Sequence, residues 1–216
     1  MAFTIDVISD VVCPWCYIGK KKLQSAIEIY RASHPGEDPP LVRWHAFQLN
    51  PDLDSKGIDR AQYVQQKFGD RASTIYDRVK NVGVEVGIDF AFDKIQRQPN
   101  TRKAHSLIAA CEETLLQENM VQSLFDAYFI NSLDLTDDAV LKAIALDAGL
   151  SETATELALH SEQAILAIEE ADQNARDMGV QGVPFFVFNG KIAVSGAQSP
   201  ETLVDAMNEA KKVVNA

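Results

Sequence analysis

The sequence is short of cysteine, of positive charge and of unbroken apolar runs. Three cysteines in 216 residues are too few, and odd in number, for a structural disulfide framework. Lys and Arg total 20 against 31 Asp and Glu, a formal net charge of -11. Phosphate binding needs clustered cations, so nucleic acid and anionic membrane surfaces are not expected as partners; the charge reads as a solvated acidic surface. No run approaches the roughly 18 uncharged apolar residues of a membrane span. The start, Met-Ala-Phe-Thr-Ile-Asp-Val-Ile-Ser-Asp, lacks the basic opening, apolar stretch and cleavage site of a signal peptide. The cytoplasm is therefore the default location, although a mature secreted chain would also lack its signal. There is no internal repeat and no low-complexity tract.

What is present is the composition of a globular protein with a core, 46% hydrophobic and 24% charged. The length suits one domain, or one domain carrying a large insertion. Phe3 to Ile8 is short, apolar and rich in β-branched residues, which predicts a buried strand. Pro14 suits the first turn of a helix, and Ile18, Leu23, Ala26, Ile27 and Tyr30 continue it as an amphipathic helix to about Arg31. His34-Pro35-Gly36-Glu37-Asp38-Pro39-Pro40 breaks the chain. Leu41 to Leu49 then alternates as a second strand, with Val42, Trp44 and Ala46 on one side. A β-α-β unit implies parallel strands joined by a right-handed crossover.

From about Asp59 to Gly179 the periodicity is helical, with almost no strand signal. Helices are expected over 60–69, 71–86, 101–118, 120–131, 137–148, 151–158 and 161–178. Asn100-Thr101 and Thr136-Asp137 look like caps, and Gly87, Gly149 and Gly179 like stops. Strand signal returns at Pro184 to Phe188, followed by the hairpin dipeptide Asn189-Gly190 and a partner strand at Ile192-Ala193-Val194. Ser199-Pro200-Glu201 opens a last helix with Leu203, Val204, Ala206, Met207 and Ala210 on its apolar stripe. The order β-α-β, helical block, β-β-α predicts an α/β fold with a large all-helical insertion. Its discontinuous α/β part covers residues 1–58 and 179–216, and the insertion covers 59–178.

Cys13-Pro14-Trp15-Cys16 carries the chemistry. Two intervening residues place both side chains on neighbouring positions at a helix start, within reach of disulfide closure. Unpaired amides and the macrodipole there favour negative charge on the sulfur of Cys13. Cys13 is thus the candidate nucleophile and Cys16 the candidate resolving thiol. Pro14 fixes the turn, and Trp15 offers an apolar plate beside the sulfur. A metal half-site is the competing reading, but a structural zinc needs about four ligands and no second Cys/His cluster exists. The position after a strand, opening a helix in a β-α-β unit, is the setting of a redox pair.

Four further segments accompany this one in order along most of the chain. They are Phe47-Gln48-Leu49-Asn50-Pro51, Asn100-Thr101-Arg102-Lys103-Ala104-His105, Gly182-Val183-Pro184-Phe185-Phe186-Val187 and Ser195-Gly196-Ala197-Gln198. With Ser9 to Gly19, they resemble the DsbA-like branch of the thioredoxin superfamily, and FrnE-type oxidoreductases in particular. The resemblance implies a thioredoxin fold interrupted by a helical domain. It makes Pro184 a cis proline facing the cysteines and lets Val183 offer backbone groups to an extended substrate. It also brings Asn100 and His105 near the pair as substrate-binding candidates; the alternative is a capped helix with a surface histidine. Related hydroxychromene-carboxylate isomerases and kappa-class glutathione transferases typically carry serine where this chain has Cys13, and use bound glutathione.

The function expected is thiol–disulfide exchange with a disulfide-containing protein or a low-molecular-weight thiol. It requires no metal or organic cofactor, with glutathione as a possible co-substrate, in a monomer or homodimer. A glutathione-dependent isomerase or transferase acting on a small aromatic compound, and a non-catalytic chaperone or binding module, are the rival readings. Cys111 shares an apolar stripe with Leu107, Ile108 and Leu115 and reads as a buried, inert thiol. Asp10 could modulate Cys13. Trp44 and His45 read as strand residues rather than ligands.

Overall fold

The computed structural model describes residues 3–212; the termini of the expected α/β part, residues 1–2 and 213–216, lie outside the described residues. Strand β1 (Thr4–Ser9) leads into helix α1 (Pro14–Ser33) and strand β2 (Leu41–Ala46). A two-residue strand β3 (Ile58–Asp59) precedes α2 (Arg60–Phe68), a 3-10 turn over Gly69–Arg71 and α3 (Ala72–Glu85). Next come β4 (Arg97–Gln98), α4 (Arg102–Ala109), α5 (Thr114–Phe129), α6 (Asp138–Ala148), α7 (Glu152–His160) and α8 (Glu162–Asp177). The chain closes with β5 (Phe185–Phe188), β6 (Ile192–Ser195) and α9 (Pro200–Lys212).

The main sheet has the order β2-β1-β5-β6. β1 runs parallel to β2 and antiparallel to β5, and β5 is antiparallel to β6. Register places Trp44, Val7, Phe186 and Val194 in one cross-strand row, and Val42, Ile5, Phe188 and Ile192 in another. Apolar rows of this kind fix strand register, because a one-residue slip would turn every one of them to the opposite face. Asn189 and Gly190 take φ of 54° and 67°, which a two-residue hairpin turn requires.

The helical block is tied to this sheet by α1 and β2. Tyr17 on α1 stacks on Phe125 of α5 with centroids 5.0 Å apart, and Phe90, Phe92 and Phe129 continue the aromatic cluster. The Tyr17 hydroxyl donates to Asp126 and accepts from Gln122 Nε2 at 2.9 Å. Three residues along α1, Lys20 is only 1% exposed and donates to Glu118 on α5. Glu118 also accepts from Trp44 Nε1 at 2.8 Å, and Gln117 Oε1 accepts the Trp44 amide of edge strand β2 at 2.8 Å. One turn of α5 thus satisfies a backbone donor at the sheet edge and a buried cation together.

Several boundaries depart from the sequence pattern. The helix expected over 101–118 is broken at residues 110–113, and α5 then runs through the expected break near 119. Glu112 and Glu113 are disfavoured at the carbonyl end of α4 and favoured at the amide end of α5; Glu113 is the extended N-cap of α5. The break puts Leu115 at 70% exposure while Cys111 stays buried, so the two share no apolar stripe. β2 ends at Ala46, not Leu49: the Phe47 amide still bonds the Ser9 carbonyl of β1 at 3.0 Å, but the Gln48 and Leu49 amides are taken by side-chain carboxylates instead of a neighbouring strand. The β3–β4 ladder, two residues long, is too brief to leave a periodic signal.

Removing one partner of a buried ion pair leaves an uncompensated charge. Glu118→Leu is expected to lower unfolding stability by about 3 kcal/mol, and adding Lys20→Met to recover most of the loss. Urea unfolding of both variants checks this; a wild-type midpoint for Glu118→Leu alone would remove Lys20 and Glu118 from the stability of the docked block.

Candidate active site

β1 delivers the chain to a tight turn, where the Cys13 amide donates to the Asp10 carbonyl at 3.0 Å. Cys13 is the N-cap of α1, with extended dihedrals, and Pro14 follows at the first helical position. An N-cap is usually Ser, Thr, Asp or Asn, whose oxygen takes the free amides of the first turn. Here no side chain caps them and the first turn holds no acid, so the sulfur occupies that seat. Cys16 sits one turn in, 0% exposed. Both thiols are free.

Burial pushes the Cys16 thiol well above its ordinary value, reinforced by the hydrogen bond and charge interaction with Cys13 and opposed by the Asp10 amide and the Ser9 hydroxyl. The same cause lifts Cys111 to about 11, and its sulfur donates to the Leu107 carbonyl at 3.3 Å.

The Val183–Pro184 bond is cis, and Cys13 Sγ lies 3.6 Å from the Val183 carbonyl oxygen. α1 reaches this loop because residue 19 has no side chain: a Cβ there would stand 2.9 Å from Pro184 Cγ and 3.2 Å from Phe186 Cζ. Trp15 and Val183 are half-buried against the core. Cys13, Cys16, Val183 and Pro184 thus come together, with Pro14 and Trp15 between the cysteines.

Asn100 and His105 part company. Asn100 Nδ2 donates to the Leu53 carbonyl at 2.7 Å and its Oδ1 accepts the Arg102 amide at 3.0 Å. It lines a cavity of about 720 Å³ with Ser55, Lys56, Arg102 and Asp134, which has neither thiol in its walls. His105 is 3% exposed, so it is not a surface histidine; its Nε2 lies 3.4 Å from Asp10 Oδ1. Trp44 is a core residue and His45 pairs with Asp6 at 2.8 Å.

The sequence understated Asp10. Its side chain is 0% exposed, Oδ2 accepts the Leu49 amide at 2.8 Å, and Oδ1 faces the Val12 amide at 3.5 Å and His105. A second buried carboxylate, Asp172 on α8, accepts the Gln48 amide at 2.8 Å. It also pairs with Arg176, whose guanidinium lies 4.3 Å from the Phe47 ring. The adjacent Ser-Asp before the cysteines, and an acid in the apolar α8 pattern, were the available signals. Among the described residues no group of three or more His, Cys, Asp or Glu side chains gathers to hold a metal.

A strand leading to paired cysteines at a helix start, opposed by a Val-Pro loop in a mixed sheet, defines a protein of thioredoxin fold. The profile of the DSBA-like thioredoxin domain matches residues 4–208, and the chain belongs to that family. It is 26% identical over 224 residues to the uncharacterized protein YwbO of Bacillus subtilis, covering 98% of this chain and 99% of that one. A probable DsbA oxidoreductase from Streptomyces coelicolor superposes with a TM-score of 0.83 at 24% identity, covering 97% of this chain and 90% of its own. A 2-hydroxychromene-2-carboxylate isomerase gives 0.70 at 16% identity over 98% of each chain. The cytosolic disulfide reductase DsbM of Pseudomonas aeruginosa, solved with glutathione, gives 0.60 at 16% identity over 98% and 97%.

The three thiols are all buried, Cys13 and Cys111 at 4% and Cys16 at 0% exposed, and they differ in their surroundings: Cys13 at the amide end of α1, Cys16 and Cys111 with their pKa raised. Iodoacetamide at pH 7 is expected to modify Cys13 first, leaving Cys16 and Cys111 unmodified until the pH nears 11, where Cys111 ionises. Peptide mapping reads this directly; equal labelling of Cys111 at pH 7 would contradict the burial that raises it.

Proposed function

We propose that this chain is a thiol–disulfide oxidoreductase that cycles Cys13 and Cys16 between dithiol and disulfide. The observation that carries the reading is the division of labour between the two sulfurs. Cys13 occupies the uncapped amide end of α1 beside the Val183 carbonyl, and Cys16 is sealed one turn behind it.

In the direction that reduces the substrate, the Cys13 thiolate attacks a substrate disulfide and displaces one substrate sulfur as thiolate. Cys16 then loses its proton and attacks Cys13 Sγ, forming the Cys13–Cys16 disulfide and releasing the second substrate thiolate. Two electrons pass from the protein to the substrate, and no metal or organic cofactor enters. Val183 offers backbone groups to an extended substrate, Pro184 holds that loop against Gly19, and Trp15 with Pro14 shapes the approach. Protein disulfides and small thiols such as glutathione both suit this chemistry. Asn100, in the wall of the separate cavity, is assigned as a substrate contact there.

We assign the thiol chemistry to residues 1–58 and 179–216, with 59–178 as the inserted helical domain. A cytoplasmic setting fits a chain whose third cysteine is a buried, unpaired thiol, and a cytosolic reductase shares the fold.

Titration against a glutathione redox buffer, followed by tryptophan fluorescence, tests the reading with Cys13→Ser as control. A single two-electron transition in the wild type, absent from the control, is expected. No transition, or only a stable glutathione adduct on Cys13, would replace dithiol cycling with glutathione-dependent chemistry at one cysteine.

A further inference from the structure

Away from the thiols, the helical block buries a cation without an acid to match it. Arg60 opens α2 and is 8% exposed. Its amide donates to the Gln96 carbonyl at 2.9 Å, which extends the β3–β4 ladder and fixes the residue at its root. The guanidinium donates to Gln98 Oε1 and to the Tyr76 hydroxyl, the latter at 2.8 Å. Its Cζ lies 5.3 to 6.0 Å from the ring centres of Tyr63, Tyr76 and Tyr128. Two of five N–H donors are thus engaged, and every partner is neutral. Burial pushes the Tyr76 and Tyr128 hydroxyls up, so neither ring supplies a negative charge. Asp59, beside Arg60 in the chain, turns its carboxylate to the Gln62 amide at 2.9 Å. Among the described residues no carboxylate pairs with Arg60.

A charge taken out of water needs a counter-charge or a full set of hydrogen bonds in its place. Cation–π contact with three rings replaces part of the lost hydration and none of the missing acceptors. Gln98 shows the same shortage. It is 1% exposed, its Oε1 accepts from both Arg60 and Tyr128, and its Nε2 has no partner. Buried donors therefore outnumber acceptors around this guanidinium.

Arg60 forms part of the wall of a cavity of about 320 Å³ between α2, α3 and the segment 92–95. Phe92 and Ile95 give it a buried apolar side, and Asp77, Lys80 and Asp93 stand on its exposed side. Neither thiol of the Cys13–Cys16 pair lines it. A volume of this order accommodates one small molecule.

We propose that this cavity binds a small organic monocarboxylate, with the carboxylate on the Arg60 fork and a compact apolar body against Phe92 and Ile95. A planar guanidinium meets a carboxylate in two parallel N–H···O bonds, which supplies the acceptors that the protein lacks here. The other charges of the wall select a single negative charge over several. Lys80 is already matched with Asp93 at 3.7 Å, and among the described residues Asp77 pairs with no cation. A doubly charged phosphate would meet a repulsion from Asp77 that a monoanion largely escapes. The net charge of -11 repels anions at long range, so recognition rests on contacts inside the cavity. The site is independent of thiol exchange.

Isothermal titration calorimetry of the full-length protein with isovalerate tests the proposal, with uncharged isovaleramide and inorganic phosphate as comparison ligands. Wild type is expected to bind one equivalent of isovalerate, and to bind the amide and phosphate at least about tenfold more weakly. Arg60→Lys keeps the charge and loses the fork; it is expected to weaken isovalerate binding on the order of tenfold to a hundredfold. Ala61→Trp, at an exposed position on the rim, keeps Arg60 and its partners and is expected to block entry. It answers the question should Arg60→Lys fail to fold, with circular dichroism reporting the fold of both variants. Absence of isovalerate binding to the wild type would overturn the proposal. So would equal affinity for the amide, tighter binding of phosphate, or wild-type affinity in either folded variant.

Discussion

The site depends on the buried carboxylate of Asp10. Taking a carboxylate out of water costs several kcal/mol unless hydrogen bonds replace the lost solvent. Asp10 draws those bonds from three separate parts of the chain: Val12 in the turn before α1, Leu49 in the loop after β2, and His105 on α4. Its own carbonyl accepts the Cys13 amide. The turn that aims Cys13, the loop that ends β2 and the first helix of the block's second half are therefore fixed by one group. Moving any of them leaves the carboxylate short of a partner, so their positions are coupled in energy as well as in space. Asp172 repeats the device on the same loop: its carboxylate takes the next amide and holds Arg176 over Phe47.

Helix α1 carries the second constraint. Its first two turns have no spare face. Cys13 and Cys16 present sulfur, Tyr17 and Lys20 reach α5, and Gly19 admits Pro184. A helix held on each side in this way cannot rotate to suit the thiols without disturbing the aromatic cluster or the Val183–Pro184 loop. α9 packs on the same helix farther along, with Leu203, Ala206, Met207 and Ala210 buried. The block is not an appendage to a preformed site; it is one of the walls against which α1, and with it the Cys13–Cys16 pair, is held.

The sequence made much of this legible where a pattern repeats or a residue type is chemically scarce. The β-branched run at Phe3 to Ile8, the stripe of α1, the Asn189-Gly190 turn and the stops at Gly149 and Gly179 all declare themselves through periodicity or backbone need. The cysteine pair declares itself because cysteines are few. What stayed hidden depends on tertiary partners. An acid before a helix looks solvated until Leu49 and His105 are seen to close on it. His105 looks like a surface residue because its helix is short and its partner is 95 residues away. Lys20 reads as one of three consecutive lysines, yet it alone of them is buried, because Glu118 approaches from a helix 98 residues later. The split between α4 and α5 escaped because Cys111 and Leu115 are spaced as helix neighbours, whereas the charges of Glu112 and Glu113 end one helix and begin the next.

The two cysteines show how surroundings can divide identical side chains, for both are buried, Cys13 at 4% and Cys16 at 0% exposed. Three positions apart on one helix, they meet different surroundings: Cys13 takes the cap position, where amide ends and the Val183 carbonyl are the neighbours, and Cys16 lies under it with only the Ser9–Asp10 edge of β1 beside it. A thiol held protonated is a poor nucleophile until its proton leaves, so in the proposed cycle Cys16, raised by burial and by Cys13 beside it, waits while Cys13 meets the substrate. In that cycle, once Cys13 carries a substrate sulfur, Cys16 is the neighbouring thiol able to resolve it. The different surroundings of two buried sulfurs thus suit the proposed order, in which Cys13 acts first and Cys16 resolves.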